Sequence, residues 1–494
     1  MPSQRLRLPT CAGTRPVADS FLFYDLETFG ADPRRTRIAQ FAAIRTDAAL
    51  NEIEDPIDIL VRPADDLLPS PAASLVTGLT PQHVLANGVP EADAFARIFE
   101  EMARPQTCSL GYNSLRFDDE FVRFGLYRNF HDAYEREWRG GNSRWDLLDA
   151  LRLMHALRPD GIAWPQREDG KGTSFKLEHL ATGNGVRIGD AHEALSDVRA
   201  LIGLARLFRQ SQPRLWDYAL QLRDKRFAAS QLDVIAMTPA LHVSQRYPAS
   251  RLCAAPVLPL ARHPKIDSRV IVFDLASEPD ALLDLSPEDI AARLYVRADA
   301  LPEGTTRIAL KEVHLNRCPA LVPWSYLRED DFTRLAIDPA DVERNAARLR
   351  SAGPALAEKV RRVYALEREF PRGDADAGLY DGFIPDGDKR LFADVRATPP
   401  EALGTRTFGF RDPRMGELLF RYRARNWPAT LSAEERARWN DYRRVRLADG
   451  TTMSEHSFTT FFAEIATLRE THPDRRDVLD ALDGWGRDLQ GSLA

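Results

Sequence analysis

Phe21-Leu22-Phe23-Tyr24-Asp25-Leu26-Glu27-Thr28-Phe29-Gly30 is the stretch on which the reading of the chain turns. An apolar, aromatic-rich run closed by a glycine predicts a buried strand. Asp25 and Glu27 fall at i and i+2, so the strand directs both carboxylates to one face of its sheet. Two anions that close, away from water, need a shared cation or a proton. An all-oxygen donor set suits a hard divalent ion, magnesium or manganese. Asp-x-Glu alone also fits a strand end with two solvated acids, so the reading depends on partners elsewhere in the chain.

Working outward, Ile38 to Thr46 and Pro56 to Val61 are apolar and β-branched, and strands in immediate succession predict an antiparallel meander. Pro81 to Ala103 carries a helical pattern through Phe95, Ile98, Phe99 and Met102, and Thr107 to Tyr112 reads as a short buried strand. Three meander strands followed by alternating helices and strands describe an α/β layer with a mixed sheet. The run Gly111-Tyr112-Asn113-Ser114-Leu115-Arg116-Phe117-Asp118-Asp119-Glu120 joins a strand to a helix, with Asp118 or Asp119 open to a capping role. Asn142 to Asp149 opens an amphipathic helix running to Leu157, with Asp146 and Asp149 as first-turn acids. Gly189-Asp190-Ala191-His192 leads into a helix whose apolar stripe is Leu195, Val198, Ile202, Ala205 and Phe208, ending near Gln212-Pro213.

At 494 residues the chain exceeds a single core. A first domain is expected over 1–212, a small β-rich domain over 213–355 with strands near Leu241–Ser244, Val270–Leu275 and Arg307–Leu315, and a mainly helical domain over 356–494. Hydrophobic content of 44% and charged content of 28% exclude wholesale disorder. No apolar run approaches the roughly 20 residues of a membrane span, and Met1 to Ala18 lacks the apolar core of a signal peptide, so it reads as a frayed tail. Cys11, Cys108, Cys253 and Cys318 form no Cys-x-x-Cys pair, which argues against a zinc site or disulfide framework and for a reducing cytoplasm. The net charge of −6 decides little, since acids gathered at a metal site can mask a basic groove.

Asp25, Glu27, Asp118 and Asp197 together supply four carboxylates for two divalent ions, and His192 is the candidate general base for the attacking water. That set serves phosphodiester hydrolysis.

With Asp-x-Glu at 25–27, Asn-x3-Phe-Asp at 113–118 and His-x4-Asp at 192–197, the sequence resembles the DEDDh 3′-to-5′ exonucleases. Within them it resembles the bacterial exodeoxyribonuclease I family, through Tyr-Asp-Leu-Glu-Thr-Phe-Gly at 24–30, Gln-Phe-Ala-Ala-Ile-Arg-Thr-Asp at 40–47, Asn-Ser-Arg-Trp-Asp-Leu-Leu-Asp at 142–149, Ser-Phe-Lys-Leu-Glu-His-Leu at 174–180 and Tyr-Arg-Ala-Arg-Asn-Trp-Pro at 422–428. The resemblance implies a ribonuclease H-like exonuclease domain, an SH3-like β-barrel domain and a helical C-terminal domain closing around single-stranded DNA. It also implies magnesium-dependent, processive release of 5′-mononucleotides from the 3′ end, in DNA repair and recombination. Glu27, Arg123, Tyr134, Trp138, Arg152, Phe175 and Lys176 then line the DNA path, with Lys176 where the family often has arginine. Cations along phosphates and aromatic faces under bases are what a single strand needs. The family also binds the acidic tail of single-stranded-DNA-binding protein, and Arg158, Tyr218 and Arg328 fall at similar positions, although the segment around Val322-Pro323-Trp324 departs from relatives. A monomer is expected.

The C-terminal arginines 421, 423, 425, 436, 438, 443, 444 and 446, interleaved with Tyr422, Trp427, Trp439 and Tyr442, read as a solvated helix face offset by Glu434, Glu435 and Asp441. Rival readings are a ribonuclease or proofreading subunit, a non-catalytic single-strand binder that keeps the fold, and a structural metal site.

Overall fold

The computed structural model of the protein describes residues 20–187, 189, 193–296, 301–305, 307–366 and 373–494. The chain divides into two compact units. The first takes in Ala18–Ser143, Arg187–Ala200 and Phe370–Ala494, and the second takes in Arg144–Val186 and Leu201–Glu369.

The first unit is built on β1 (Ser20–Thr28), β2 (Ile38–Asp47), β3 (Ile57–Leu60) and β4 (Thr107–Gly111), with β5 (Ser143–Asp146) where the chain passes to the second unit. The sheet order is β3-β2-β1-β4-β5. β1 pairs antiparallel with β2, β2 antiparallel with β3, and β1 parallel with β4, which is the expected meander in a mixed sheet. Leu22, Tyr24 and Leu26 point from one face of β1 into a core with Phe41, Phe95, Ile98, Met102, Phe121 and Leu126. Burying each such large apolar side chain stabilises the fold by about 1.5–3 kcal/mol. The strand's period of two therefore leaves Asp25 and Glu27 on the other face.

Pro81 to Ala103 is two helices, Pro81–Asn87 and Glu91–Ala103, rather than one. Gly88 ends the first, where a Cβ would lie 2.6 Å from the Val84 carbonyl, and Pro90 cannot continue a helix.

The helices after residue 373 pack within the first unit. Phe124, Tyr127 and Phe130 share a core with Phe392, Met415, Leu418 and Tyr422. The arginine run departs from the expected solvated face. Arg421, Arg423, Arg443 and Arg446 are at most 5% exposed, whereas Arg436, Arg438 and Arg444 do face solvent. Arg425 bonds Asp66 at 2.8 Å and Asp376 at 2.6 Å, and Arg421 reaches Asp376 at 3.1 Å. Such buried cations persist because acids distant in sequence pair with them.

The second unit holds a five-stranded antiparallel sheet, β6 (Ala240–Val243), β7 (Ala254–Arg262), β8 (Arg269–Asp274), β9 (Leu310–His314) and β10 (Ala320–Pro323), in the order β10-β6-β7-β8-β9. β7 sits at its centre although it carries Pro256 and Pro259, which normally argue against a central strand. The ladder slips between Pro259 and Ala261, and that bulge accommodates the ring.

Candidate active site

Three elements converge on one anionic cluster in the first unit. β1 carries Asp25 and Glu27, and the helix Ala194–Ser211 carries Asp197 in its first turn. Asp25, Glu27 and Asp197 each offer an oxygen, and these atoms all lie within 4.8 Å of one another. Asp118, first residue of the helix Asp118–Arg128, is buried and close enough to Asp25 to act on it electrostatically. The turn that delivers it depends on Asn113, whose φ of 61° lies in the left-handed region that asparagine tolerates. The Asn113 carbonyl accepts from the amides of Arg116 and Phe117 at 3.1 and 3.2 Å, closing the turn.

Burial, and then Asp118 and Asp197, hold the Asp25 carboxyl well above the usual range. Burial, followed by Asp25, Asp197 and Glu193, pushes Glu27 up to about 9. These acids oppose one another's charge, so the cluster is built to receive positive charge. Arg187 donates to Asp197 Oδ1 and supplies part of it. Clustered carboxylate oxygens, buried and mutually repelling, fit a hard divalent cation.

Sequence reasoning missed Arg187 and Glu193. Arg187 lies ten residues before Asp197 and outside its helix, so no periodicity links them. Glu193 accepts from the Ser196 amide at 2.9 Å as a helix-entry acid and adds to the repulsion on Glu27. His192 lies outside the described residues.

The residues expected along a strand of DNA divide by exposure. Trp138 is 61% exposed and the Lys176 side chain 69% exposed, with its ammonium 3.2 Å from Glu178. Arg123 is instead buried, bonding Glu137 at 2.7 Å and Glu120 at 2.9 Å, with its guanidinium 5.3 Å from the centre of the Tyr134 ring. Arg152, in the second unit, is likewise buried, bonded to Asp149 at 3.0 Å and 5.5 Å from the centre of the half-buried Phe175 ring. Both arginines are engaged by acids, Arg123 by Glu120 of its own helix and Glu137 beyond it and Arg152 by Asp149 of its own helix, so they brace the aromatic rings. Arg158 bonds the buried Asp331 at 2.8 Å, and Arg328 is exposed. Tyr218 is 2% exposed, its hydroxyl donating to the Leu321 carbonyl at 2.8 Å, which gives it a packing position rather than a surface one.

Among the described residues no helix is long and apolar enough to cross a membrane. Three family models match in succession along the chain, described as Exonuclease over residues 22–205, Exonuclease I SH3-like domain over 223–366 and Exonuclease I C-terminal domain over 373–489. The carboxylate cluster falls in the first and the antiparallel sheet in the second. The chain is similar to Exodeoxyribonuclease I of Escherichia coli strain K12, at 44% identity over 426 residues, 86% of this chain and 89% of that one. It is similar in structure to a moderately thermophilic Exonuclease I from Methylocaldum szegediense, with a TM-score of 0.90 and 46% identity over 95% of this chain and 99% of that one. A zinc-bound complex of E. coli Exonuclease I with single-stranded DNA matches with a TM-score of 0.90 and 41% identity, over 95% and 99% of the two chains. An exonuclease domain with a mixed sheet, an SH3-like domain and a helical C-terminal region, matched along nearly the whole length, place the chain in the exodeoxyribonuclease I family.

Proposed function

We propose that the protein is a single-strand-specific 3′-to-5′ exodeoxyribonuclease that releases 5′-mononucleotides by two-metal-ion hydrolysis, acting in DNA repair and recombination. The observation that carries this reading is the convergence of Asp25, Glu27 and Asp197 within 4.8 Å on a buried face. The E. coli relative in complex with single-stranded DNA supports the choice of substrate.

Asp25, Glu27, Asp118 and Asp197 would hold two magnesium ions, with manganese able to substitute. When bound, such ions supply Lewis-acid stabilisation of phosphoryl charge and acidify the attacking water. His192 takes the proton from that water, a task suited to an imidazole near neutral pH. Glu27 also orients the 3′-terminal nucleotide. Attack at phosphorus breaks the bond to the preceding 3′ oxygen, so one 5′-mononucleotide leaves per cycle. Trp138, Tyr134 and Phe175 offer faces for bases, Lys176 meets a phosphate, and Arg123 and Arg152 hold the Tyr134 and Phe175 rings in place.

The reading extends to organisation and partners. Residues 1–212, 213–355 and 356–494 serve as exonuclease, SH3-like and helical domains of a cytoplasmic monomer. The acidic tail of single-stranded-DNA-binding protein docks on Arg158 and Arg328, with Tyr218 supporting from beneath. Weakened affinity for a tail peptide in Arg328→Ala is the expected result for that contact, and unchanged affinity in an Arg158→Ala, Arg328→Ala double variant overturns it.

The reaction is tested with 5′-labelled oligonucleotides, comparing single-stranded DNA, duplex DNA and RNA in magnesium or EDTA. Metal-dependent stepwise shortening of single-stranded DNA alone is the expected outcome. A retarded but intact strand would instead mark a binding protein.

A further inference from the structure

The connection between β1 and β2, residues 29–37, leaves the sheet two residues after Glu27, and its backbone groups are held by distant partners. The Phe29 carbonyl accepts from the Ser70 amide at 2.6 Å, and the Arg35 carbonyl from Arg446 Nη2 at 2.6 Å. Arg128 donates to the carbonyls of Pro33 and Thr36. The amides of Ala31 and Asp32 both donate to Oε1 of Glu455, 424 residues from Ala31 in the chain, at 2.8 Å for Ala31. A Cβ on Gly30 would lie 2.1 Å from Glu455 Oε2, so only glycine lets the carboxylate approach. Arg446, buried at 1% exposure, also donates to the Met453 carbonyl at 2.7 Å and so ties Glu455's own segment to the same connection.

We propose that Glu455 is a positioning residue for the exonuclease reaction, fixing the end of β1 and with it the carboxylate of Glu27. The β1–β2 ladder slips by one residue between Glu27 and Thr28, Glu27 standing opposite Gln40 and Thr28 opposite Ile38. A bulge re-aims the side chains beside it, and its shape follows from where the chain beyond is anchored. Glu455 supplies that anchor for Ala31 and Asp32, whose amides have no backbone carbonyl acceptor among the described residues. The inference rests on Glu27 holding a divalent ion, as argued above.

The test uses the full chain as Glu455→Ala, Glu455→Gln, Gly30→Ala and the double variant Gly30→Ala, Glu455→Ala. It reads kcat and KM on a single-stranded oligonucleotide in magnesium, Mn2+ affinity by calorimetry without DNA, and Tm. Glu455→Ala is expected to lower kcat by about tenfold to a hundredfold, with KM changed by less than about threefold and Mn2+ bound several-fold more weakly. Glu455→Gln keeps the accepting oxygen and is expected to restore most of both. Gly30→Ala pushes the carboxylate away and is expected to match Glu455→Ala. The double variant is then no worse than Glu455→Ala alone, because the added methyl enters space the side chain has left. Wild-type kcat and Mn2+ affinity in Glu455→Ala overturn the proposal, as does a loss confined to Tm. An inactive wild type whose Mn2+ affinity still responds to Glu455 would refute the exonuclease reading and leave the positioning role standing.

Discussion

Tyr24, the neighbour of Asp25, donates its hydroxyl to Oδ1 of Asp119, the neighbour of Asp118, at 2.8 Å. The same oxygen accepts from the fully buried Arg136 at 2.5 Å. Burial, and then the Asp119 charge, hold the phenol well above its ordinary range, so it stays a donor. β1 and the helix Asp118–Arg128 are thereby pinned together beside two of the site's carboxylates. Tyr24→Phe leaves Asp119 its arginine, so the expected cost is about 1 kcal/mol, seen as a lower urea midpoint at unchanged m-value.

Removing charge from the cluster should separate catalysis from folding. Asp25→Asn and Glu27→Gln relieve repulsion between buried acids, so Tm without divalent ions should equal or exceed that of wild type. Cleavage should fall by more than the about 10- to 100-fold that loss of an outer-shell partner costs. Unfolding of either variant would mark a structural site instead.

His131 gives the protein an acid-side weakness. Burial, and then Arg396, lower its pKa from 6.5 to about 3, and neither ring nitrogen has a hydrogen-bond partner among the described residues. The folded state therefore binds fewer protons than the unfolded one between those values. Its contribution is complete above pH 6.5 and is lost as pH falls toward 3, at about 1.4 kcal/mol per pH unit. His155, which burial and then Arg334 lower to about 4, acts in the same direction. Asp66 and Asp376 are held low by their arginines against burial, so their contribution is lost only below the ordinary carboxylate pKa of about 4. Urea titrations between pH 6.5 and 4 should accordingly show a shallower decline for His131→Leu than for wild type.

Two ion pairs of similar length should differ widely in worth. Arg425 and Asp376 have side chains 3% and 1% exposed and lie 2.6 Å apart, whereas Arg438 and Glu417, at 2.5 Å, are 53% and 46% exposed. Asp376→Ala strands buried arginines and should cost about 3–5 kcal/mol. Glu417→Ala should cost less than about 1 kcal/mol. Chemical denaturation of the two variants checks the contrast.

The β1–β2–β3 meander, the short buried strand β4 and the proximity of Asp25 to Glu27 were legible because each follows from the apolar pattern within a few residues, whereas the parallel pairing of β4 with β1 does not. Asp197 could be linked to them only through the motif order, since its helix entry follows no local rule that points at β1. The central strand β7 was hidden by Pro256 and Pro259; the ladder yields beside Pro259, whereas Pro256 keeps a regular register opposite Leu241. Burial of Arg421, Arg425 and Arg446 was hidden because Asp66 and Asp376 lie far along the chain while the acids nearby suggested a solvated face. Burial of Arg123 and Arg152 was hidden because the acids beside them, Glu120 and Asp149, look like ordinary helix-surface residues until the packing is known. Glu455 carries no motif at all, and only the fold brings it to Gly30.

The most direct test of the central claim is a single-turnover time course on 5′-labelled single-stranded DNA, using EDTA-stripped protein to which Mg2+ is restored, with Asp197→Asn alongside. The account predicts an intact strand without metal, a ladder shortening from the 3′ end as metal is added, and almost none in the variant. Shortening in EDTA, or an Asp197→Asn ladder as fast as wild type, would contradict it.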